Sequence, residues 1–345
     1  MASKALFSII PRVKRKEEKE ERKRSFLKNG SILLEDLIAS CDGKSHPIRC
    51  YSAAEIIRAT NDFDPSCIID RVSYHDMCRG ILEDRTIIIK RPRNKDRAIR
   101  DIIISMQMST HKNSLKLLGC CLEFDTPALV LENAGKGGLN TYGSLVVDNE
   151  LLPWKTRLRI AKQLASALTY LHTAFPRPII HRDVKPTCIL LDDDYVPKLS
   201  DFSLSITIPP EKLYVEDAVK GTFGHLDPTY IMTHKISEKT DVYSFGVLLL
   251  VFLTGQGPIQ PRVVGDDEYQ FVMERARSHA FEDQFRTIVD PKILEEVGEG
   301  EQAQQQLHDF LTMALLCTED ESELRPDMID VAKKLVEIEK SMFPS

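Results

Sequence analysis

Two short stretches of this 345-residue chain carry side chains that can move a proton beside a bound cation. In His181-Arg182-Asp183-Val184-Lys185-Pro186-Thr187-Cys188, Asp183 is a carboxylate able to accept a proton, and Lys185 places a positive charge two residues on. In Leu199-Ser200-Asp201-Phe202-Ser203, Asp201 offers the hard oxygens that Mg²⁺ prefers. Cys188 offers only soft sulfur, a poor match for that ion. A further cation, Lys90, closes the apolar run Thr86-Ile87-Ile88-Ile89-Lys90.

The two stretches resemble the catalytic loop and metal motif of protein kinases, which read H-R-D-x-x-x-x-N and D-F-G. Cys188 stands at the Asn position and Ser203 at the Gly position. Other landmarks follow in the family's order. Thr86–Lys90 resembles the strand bearing the phosphate-binding Lys, and Leu117-Leu118-Gly119-Cys120-Cys121-Leu122-Glu123 the strand after the main helix. Gly221-Thr222-Phe223-Gly224-His225-Leu226-Asp227-Pro228 resembles the end of an activation segment, and Glu238 to Gly246 the central helix of the larger lobe. The resemblance covers residues 50 to 342. It implies an α+β, bilobal protein kinase fold: a small antiparallel-sheet N-lobe with one main helix, and a larger, mainly helical C-lobe. In that fold Asp183 is the base, Lys185 its neighbour in the catalytic loop, Lys90 the nucleotide-binding lysine and Asp201 the metal ligand.

Elements that would position these residues can be read locally. Ser52-Ala53-Ala54-Glu55 is a capping box opening a helix over 53–60. Short Ile/Val-rich runs separated by turns over 67–133 predict a small sheet. Leu158, Ala161, Leu164, Ala165, Leu168 and Leu171 recur at helical spacing over 154–172, and Met328, Val331, Ala332, Leu335 and Ile338 do so over 327–340, with Asp327 as N-cap. The apolar stretch Val242–Leu253 is too short to span a bilayer and reads as a buried helix. The mixed-charge run from Lys14 to Arg24 predicts a solvated helix supported by Glu and Lys at i, i+4, and Ile32, Leu33, Leu34, Leu37 and Ile38 a short helix after it. The expected organisation is a charged arm and short helix (1–50), a kinase-like N-lobe with its preceding capped helix (51–133) and a C-lobe (134–345). A net charge of -6 gives no basic field for nucleic acid, and the eight scattered cysteines have no zinc spacing.

Position by position, the phosphoryl-transfer machinery is depleted. Anchoring on Met77-Cys78-Arg79-Gly80 puts Asp70, Val72 and His75 at the three glycine positions of the phosphate loop, and no glycine occurs between Gly43 and Gly80. Side chains there crowd the phosphates, and Asp70 repels them. Between Asp96 and Thr110 there is no glutamate to orient Lys90. Asp101 or Ile102, depending on register, takes its place, and the helix is expected to be truncated. Ile88, where the family carries Ala, narrows the adenine pocket. Ser203 is expected to disfavour the active turn. Thr229 replaces the Glu that should pair with Arg325, so Arg325 needs another partner or water, and a freed activation segment is one of the outcomes left open.

The run Tyr51 to Phe63 resembles the segment before the kinase domain of plant receptor-like kinases. The chain as a whole is similar to the small plant family of receptor-like cytoplasmic pseudokinases, related to wall-associated kinases, that act as adaptors of a coiled-coil NLR immune receptor. That resemblance implies an adaptor of plant innate immune signalling whose partners are an NLR receptor and effector-modified host kinases or pathogen effectors. It implies no membrane insertion, and a cytoplasmic location that partners can bring to the plasma membrane. No cofactor is then required, and ATP and Mg²⁺ bind weakly at most. The activation segment, with Lys212, Tyr214, Glu216, Asp217 and Lys220, is the expected partner-binding surface. The alternative is a weakly active serine/threonine kinase using ATP.

Overall fold

The computed structural model describes residues 2–41, 48–146, 151–261, 269–281 and 284–341. They form two compact units. One holds the residues up to Thr110 together with Lys116–Asn133, and the other holds His111–Leu115 with the chain from Ala134 onward.

The first unit opens with a helix, α1 (Ala2–Cys41), where the sequence suggested an arm followed by a separate short helix. The two merge through Gly30, since a single glycine costs a helix only about 1 kcal/mol and no Pro lies between them. The helix docks through buried Asn29, whose amide nitrogen donates to the carbonyls of Leu122 and Phe124, each at 2.9 Å. Next come β1 (Arg49–Cys50) and α2 (Ala53–Ala59), and both halves of the expected capping box are made. The Glu55 N–H donates to Ser52 Oγ at 3.3 Å, and the Ser52 N–H donates to Glu55 Oε2 at 2.7 Å. Strands β2 (Ile68–Val72), β3 (His75–Leu82) and β4 (Arg85–Pro92), helix α3 (Lys95–Met108), β5 (Leu117–Cys121) and β6 (Ala128–Glu132) complete the unit. The sheet order is β1-β5-β6-β4-β3-β2. It is antiparallel as expected except at one edge, where β1 pairs with β5 in parallel. Under α2 lies an apolar cluster of Ala53, Ile56, Ile87, Ile89, Cys121, Ala128 and Val130.

The second unit is mainly helical, with short strand pairs at its loops. In chain order it contains β7 (Gly137–Gly138), α4 (Trp154–Thr173), β8 (Ile179–Ile180), β9 (Ile189–Leu191), β10 (Pro197–Leu199), β11 (Ile206–Thr207) and β12 (Val215–Glu216). Then come α5 (Pro228–Thr233), β13 (Lys235–Ile236), α6 (Glu238–Thr254), α7 (Val272–Phe281), α8 (Pro291–Val297), α9 (Glu301–Cys317) and α10 (Met328–Lys340). Helix α6 is buried from Thr240 to Thr254, as its apolar sequence predicts. Gly246 lets α6 approach α9: a Cβ there would lie 2.7 Å from both Cys317 and Thr318 side-chain atoms. Asp327 precedes α10 but makes no side-chain cap. Its carboxylate instead accepts from Lys239 Nζ at 2.6 Å. No helix among the described residues is long and apolar enough to cross a membrane.

Candidate functional site

In the first unit the phosphate loop is replaced by a tight hairpin. Strands β2 and β3 pair up to Val72 opposite His75, leaving only Ser73 and Tyr74 in the turn. Asp70 and Val72 are strand residues, and His75 begins β3 with its ring buried, its Nε2 3.6 Å from Asp70 Oδ2. Tyr74 packs edge-on against it, ring centroids 4.9 Å apart. Backbone N–H groups can cradle phosphates only where a loop leaves them unpaired and unscreened. Here only Ser73 and Tyr74 lie outside the β2–β3 pairing, and side chains stand at all three glycine positions.

Lys90 is better kept than its sequence context suggests. Helix α3 spans four turns and is not truncated. It brings Asp101, not Ile102, to Lys90: Nζ donates to Oδ2 at 2.6 Å, with both side chains 2% exposed. Ser105, one turn on, donates to the other oxygen of Asp101 at 3.3 Å. Ile88 is fully buried in β4 opposite Leu131. The glutamate is absent, but its carboxylate function is present one methylene shorter.

In the second unit the catalytic loop is built from the inside. Buried Asp241 of α6 accepts the N–H groups of His181 and Arg182, each at 2.7 Å, and lies 2.9 Å from His172 Nε2. Asp183 Oδ2 accepts from Lys185 Nζ at 2.5 Å, and the same ammonium reaches Thr222 Oγ1 at 2.6 Å. The second oxygen of Asp183 is buried and has no hydrogen-bond partner among the described residues.

Cys188 is a structural thiol. It donates to the Lys185 carbonyl at 2.9 Å and accepts the Lys185 N–H at 3.4 Å, closing the turn that carries Lys185. Complete burial pushes its pKa up to about 12, so the sulfur is neutral at physiological pH. A neutral thiol committed to the backbone does not fit a magnesium site, and of the two positions only Asp201 has the right donor atoms. The expectation for Ser203 is also revised. The left-handed residue in this turn is Asp201 (φ 65°), not Ser203, which sits in a 3₁₀ turn with ordinary φ. Serine therefore costs nothing there, and Phe202 remains fully buried with its ring edge-on to His181 at 5.3 Å.

The activation segment, 201–228, is anchored at both ends and in the middle, so of the open alternatives the one realised is a new partner for Arg325 rather than a freed segment. Strand β11 pairs with β8, and β12 with β13. Arg325 has lost its usual glutamate, but Asp227, two residues before Thr229, supplies a bidentate replacement, with NH1 at 2.8 Å from Oδ2 and NH2 at 2.9 Å from Oδ1. Thr229 Oγ1 adds a weaker contact at 3.3 Å, and the Glu319 carbonyl accepts from Nε at 2.7 Å. In the middle, Arg182 NH1 reaches Asp217 Oδ2 at 2.8 Å and NH2 donates to the Ala218 carbonyl at 2.6 Å. Tyr230 links the same groups, its hydroxyl donating to Ala218 O at 2.6 Å and accepting the Lys220 N–H at 3.1 Å. Burial pushes the Asp217 carboxyl up, but bonds from Lys220 and Arg182 outweigh this and hold it below its ordinary value.

The five residues expected to meet a partner are therefore not equivalent. Asp217 and Lys220 pair with each other at 3.2 Å, and Asp217 is turned inward to Arg182. Tyr214 is capped by Lys235 at 4.5 Å, Glu216 lies in β12, and Lys212 is exposed. Sequence reading missed the apolar side chains beside them: Leu213 is 88% exposed, Phe223 66% and, in α5, Met232 82%. Residue type gave no signal, because Ile206, Ile208, Val215, Val219 and Leu226 of the same segment are also apolar yet pack inward.

The model of the protein kinase domain matches residues 85–337, beginning only after the glycine-free hairpin. This chain belongs to the protein kinase family. It is 44% identical to "Serine/threonine-protein kinase ZRK1" of Arabidopsis thaliana over 95% of both chains. It is 45% identical to "Non-functional pseudokinase ZED1" of the same plant, over 93% of this chain and 98% of that one. "Wall-associated receptor kinase-like 4" is 32% identical over 99% of this chain but only 44% of its own length. A kinase-family chain can thus sit at similar distance from a relative named as a kinase and one named as non-functional, and the names do not decide its chemistry.

Proposed function

We propose that this kinase-family chain is a catalytically impaired adaptor of plant innate immune signalling, which binds an NLR receptor and effector-modified host kinases or effectors through its folded surfaces. One observation carries the reading: the activation segment is held by the chain's own carboxylates and presents Leu213 and Phe223 to solvent, with Met232 exposed on α5 just after it. Exposed apolar side chains on an anchored loop suit protein recognition. The glycine-free hairpin and the neutral Cys188 thiol support the loss of phosphoryl transfer, since that reaction relies on positioning and charge neutralisation. Its location on this reading is cytoplasmic, reaching the plasma membrane through partners.

Thermal melting tests the catalytic half of the proposal, because a ligand that binds only the native state stabilises it by RT ln(1 + [L]/Kd), about 2.7 kcal/mol at one hundred times Kd. Millimolar ATP, with or without Mg²⁺, is expected to leave the melting temperature unchanged. The binding half is tested with Leu213→Asp combined with Met232→Asp, which should abolish capture of the modified kinase while leaving receptor binding intact. The second reading, a slow serine/threonine kinase, is favoured by the intact Lys90–Asp101 pair and the unpartnered oxygen of Asp183. A Mg²⁺-dependent ATP shift would support it.

A further inference from the structure

Six of the eight cysteines lie in the first unit; Cys41 ends α1, and four of the others form two neighbouring couples. Cys50 of β1 is directly in register with Cys120 of β5. Side chains alternate along both strands. Gly119 faces Arg49 and Tyr51, so closely that a Cβ would lie 2.2 Å from the Arg49 carbonyl, and Cys121 packs in the cluster under α2 that Tyr51 borders. Cys50 and Cys120 therefore share the opposite face. Adjacent strands lie about 4.8 Å apart, inside the range of about 4.4–6.8 Å between Cα atoms that a disulfide spans. The two thiols are near enough to shift each other's ionisation. Cys50 is exposed, whereas Cys120 is fully buried behind it.

We propose that Cys50 and Cys120 form a peroxide-sensitive dithiol, with Cys50 as the thiol that meets the oxidant and Cys120 as the one that resolves it into an intramolecular disulfide. In the first step the Cys50 thiolate attacks one oxygen of hydrogen peroxide. The O–O bond breaks, Cys50 becomes a sulfenic acid, and the departing hydroxide takes up a proton to become water. In the second step the Cys120 sulfur attacks the Cys50 sulfur. The S–O bond breaks, the S–S bond forms, and water leaves with the Cys120 proton. Two thiols lose two electrons and two protons, and one peroxide becomes two waters. The division of labour follows from exposure, and the thiol chemistry agrees with it. The Cys120 S–H bonded to the Cys50 sulfur draws the Cys50 pKa down to about 6 against the upward push of partial burial. The bond to Cys50, then burial, drives Cys120 upward. Low-pKa accessible thiols beside a resolving cysteine are the ones that oxidise reversibly.

The bond would tie β1 to the sheet edge immediately before the Ser52 cap, fixing the entry of α2. Cys67, half-buried, and buried Cys78 repeat the exposed-with-buried arrangement, so the test removes that couple.

Full-length protein carrying Cys41→Ser and Cys67→Ser is treated with hydrogen peroxide, blocked with N-ethylmaleimide and digested without reductant. A peptide joining Cys50 to Cys120 is expected, lost on dithiothreitol treatment and absent from the Cys50→Ser variant. The Cys120→Ala variant, confirmed as folded by its melting curve, should instead accumulate Cys50 sulfenic acid trapped by dimedone. Cys50 carried on to sulfinic acid without any joined peptide would overturn the proposal, as would disulfides found only between molecules. Should Cys120→Ala fail to fold, the peptide map of the background protein and its Cys50→Ser derivative decides alone.

Discussion

The two units treat their inherited motifs in opposite ways. In the first, the phosphate-binding loop has become a two-residue hairpin while the lysine behind it keeps a carboxylate partner. In the second, the activation segment is tied down by ion pairs of Arg325 with Asp227 and of Arg182 with Asp217, the first replacing the glutamate the family uses. One unit has lost ligand-facing backbone; the other has kept its internal struts. The difference teaches that a hydrogen-bonded strut can be rebuilt from any nearby group of the right charge, whereas a phosphate cradle needs unpaired N–H groups and absent side chains at fixed positions.

The largest expected effect breaks the strut at Arg325. Asp227→Ala leaves a guanidinium fully buried without its carboxylate, and removing one partner of a buried ion pair costs about 3–5 kcal/mol. Chemical denaturation should report a loss near the upper end of that range, because both Arg325 nitrogens lose a bond. A loss comparable to that of an exposed pair would mean that the second unit is not held as described.

Next in size is the pair in the first unit. Lys90→Met strands the buried Asp101 carboxylate, but Ser105 still bonds one of its oxygens, so about 3 kcal/mol is expected. Combining Lys90→Met with Asp101→Leu should recover part of that loss, since replacing both charges by apolar groups is far less costly than removing one. Failure of the double variant to recover would show that Lys90 matters through contacts other than Asp101.

How much of this was legible beforehand depends on whether the signal was a pattern or a reach. Periodicity marked α4 and α10, an apolar run marked α6, the Ser52–Glu55 box marked α2, and motif order marked the family, because each is a property of neighbouring residue types. Asp227 was invisible as a partner of Arg325 because motif reading scores the type at one position and found Thr229 there. Nothing in the local sequence says that a carboxylate two residues earlier can reach the same guanidinium. Asp101 was left level with Ile102 for the same reason. Ser203 was misjudged from the opposite side: glycine at that place in the family suggested a need for positive φ, but the left-handed residue is Asp201. Long-range bonds such as Asn29 to Leu122, or Asp241 to His181, have no local signature at all.

Asp217 offers a smaller, pH-dependent test. Its carboxyl lies below its ordinary value when folded, so its pairing contributes fully above the unfolded carboxyl value of about 3.9 and is lost as pH falls through the lower folded value. Hydrogen exchange across 206–220, corrected for the intrinsic rate, should be flat from pH 7 to about 4.5 and rise at lower pH. Because the carboxylate is half-buried, Asp217→Asn should cost less than about 1 kcal/mol. It should nevertheless make exchange in this segment faster at neutral pH. Kinase activation loops are commonly ordered by phosphate paired with arginine; here Arg182 already has an anion, so phosphatase treatment should change nothing. Faster exchange after phosphatase would mean that Asp217 does not fill that role.

The smallest expected effect is Cys188→Asn, which restores the family's residue at one metal position. An amide can cap the Lys185 turn as the thiol does, so the melting temperature should stay within about a degree, and no thiol ionisation enters because the Cys188 pKa lies near 12. Autophosphorylation should remain at the level of an Asp183→Ala control. The reasoning is that catalytic groups act as a unit: with the β2–β3 turn reduced to Ser73 and Tyr74, a repaired metal ligand has no positioned phosphate to serve. Measurable turnover in the single variant would relocate the whole defect to the second unit, and the contrast between a dismantled cradle and preserved struts would have to be abandoned in favour of one missing ligand.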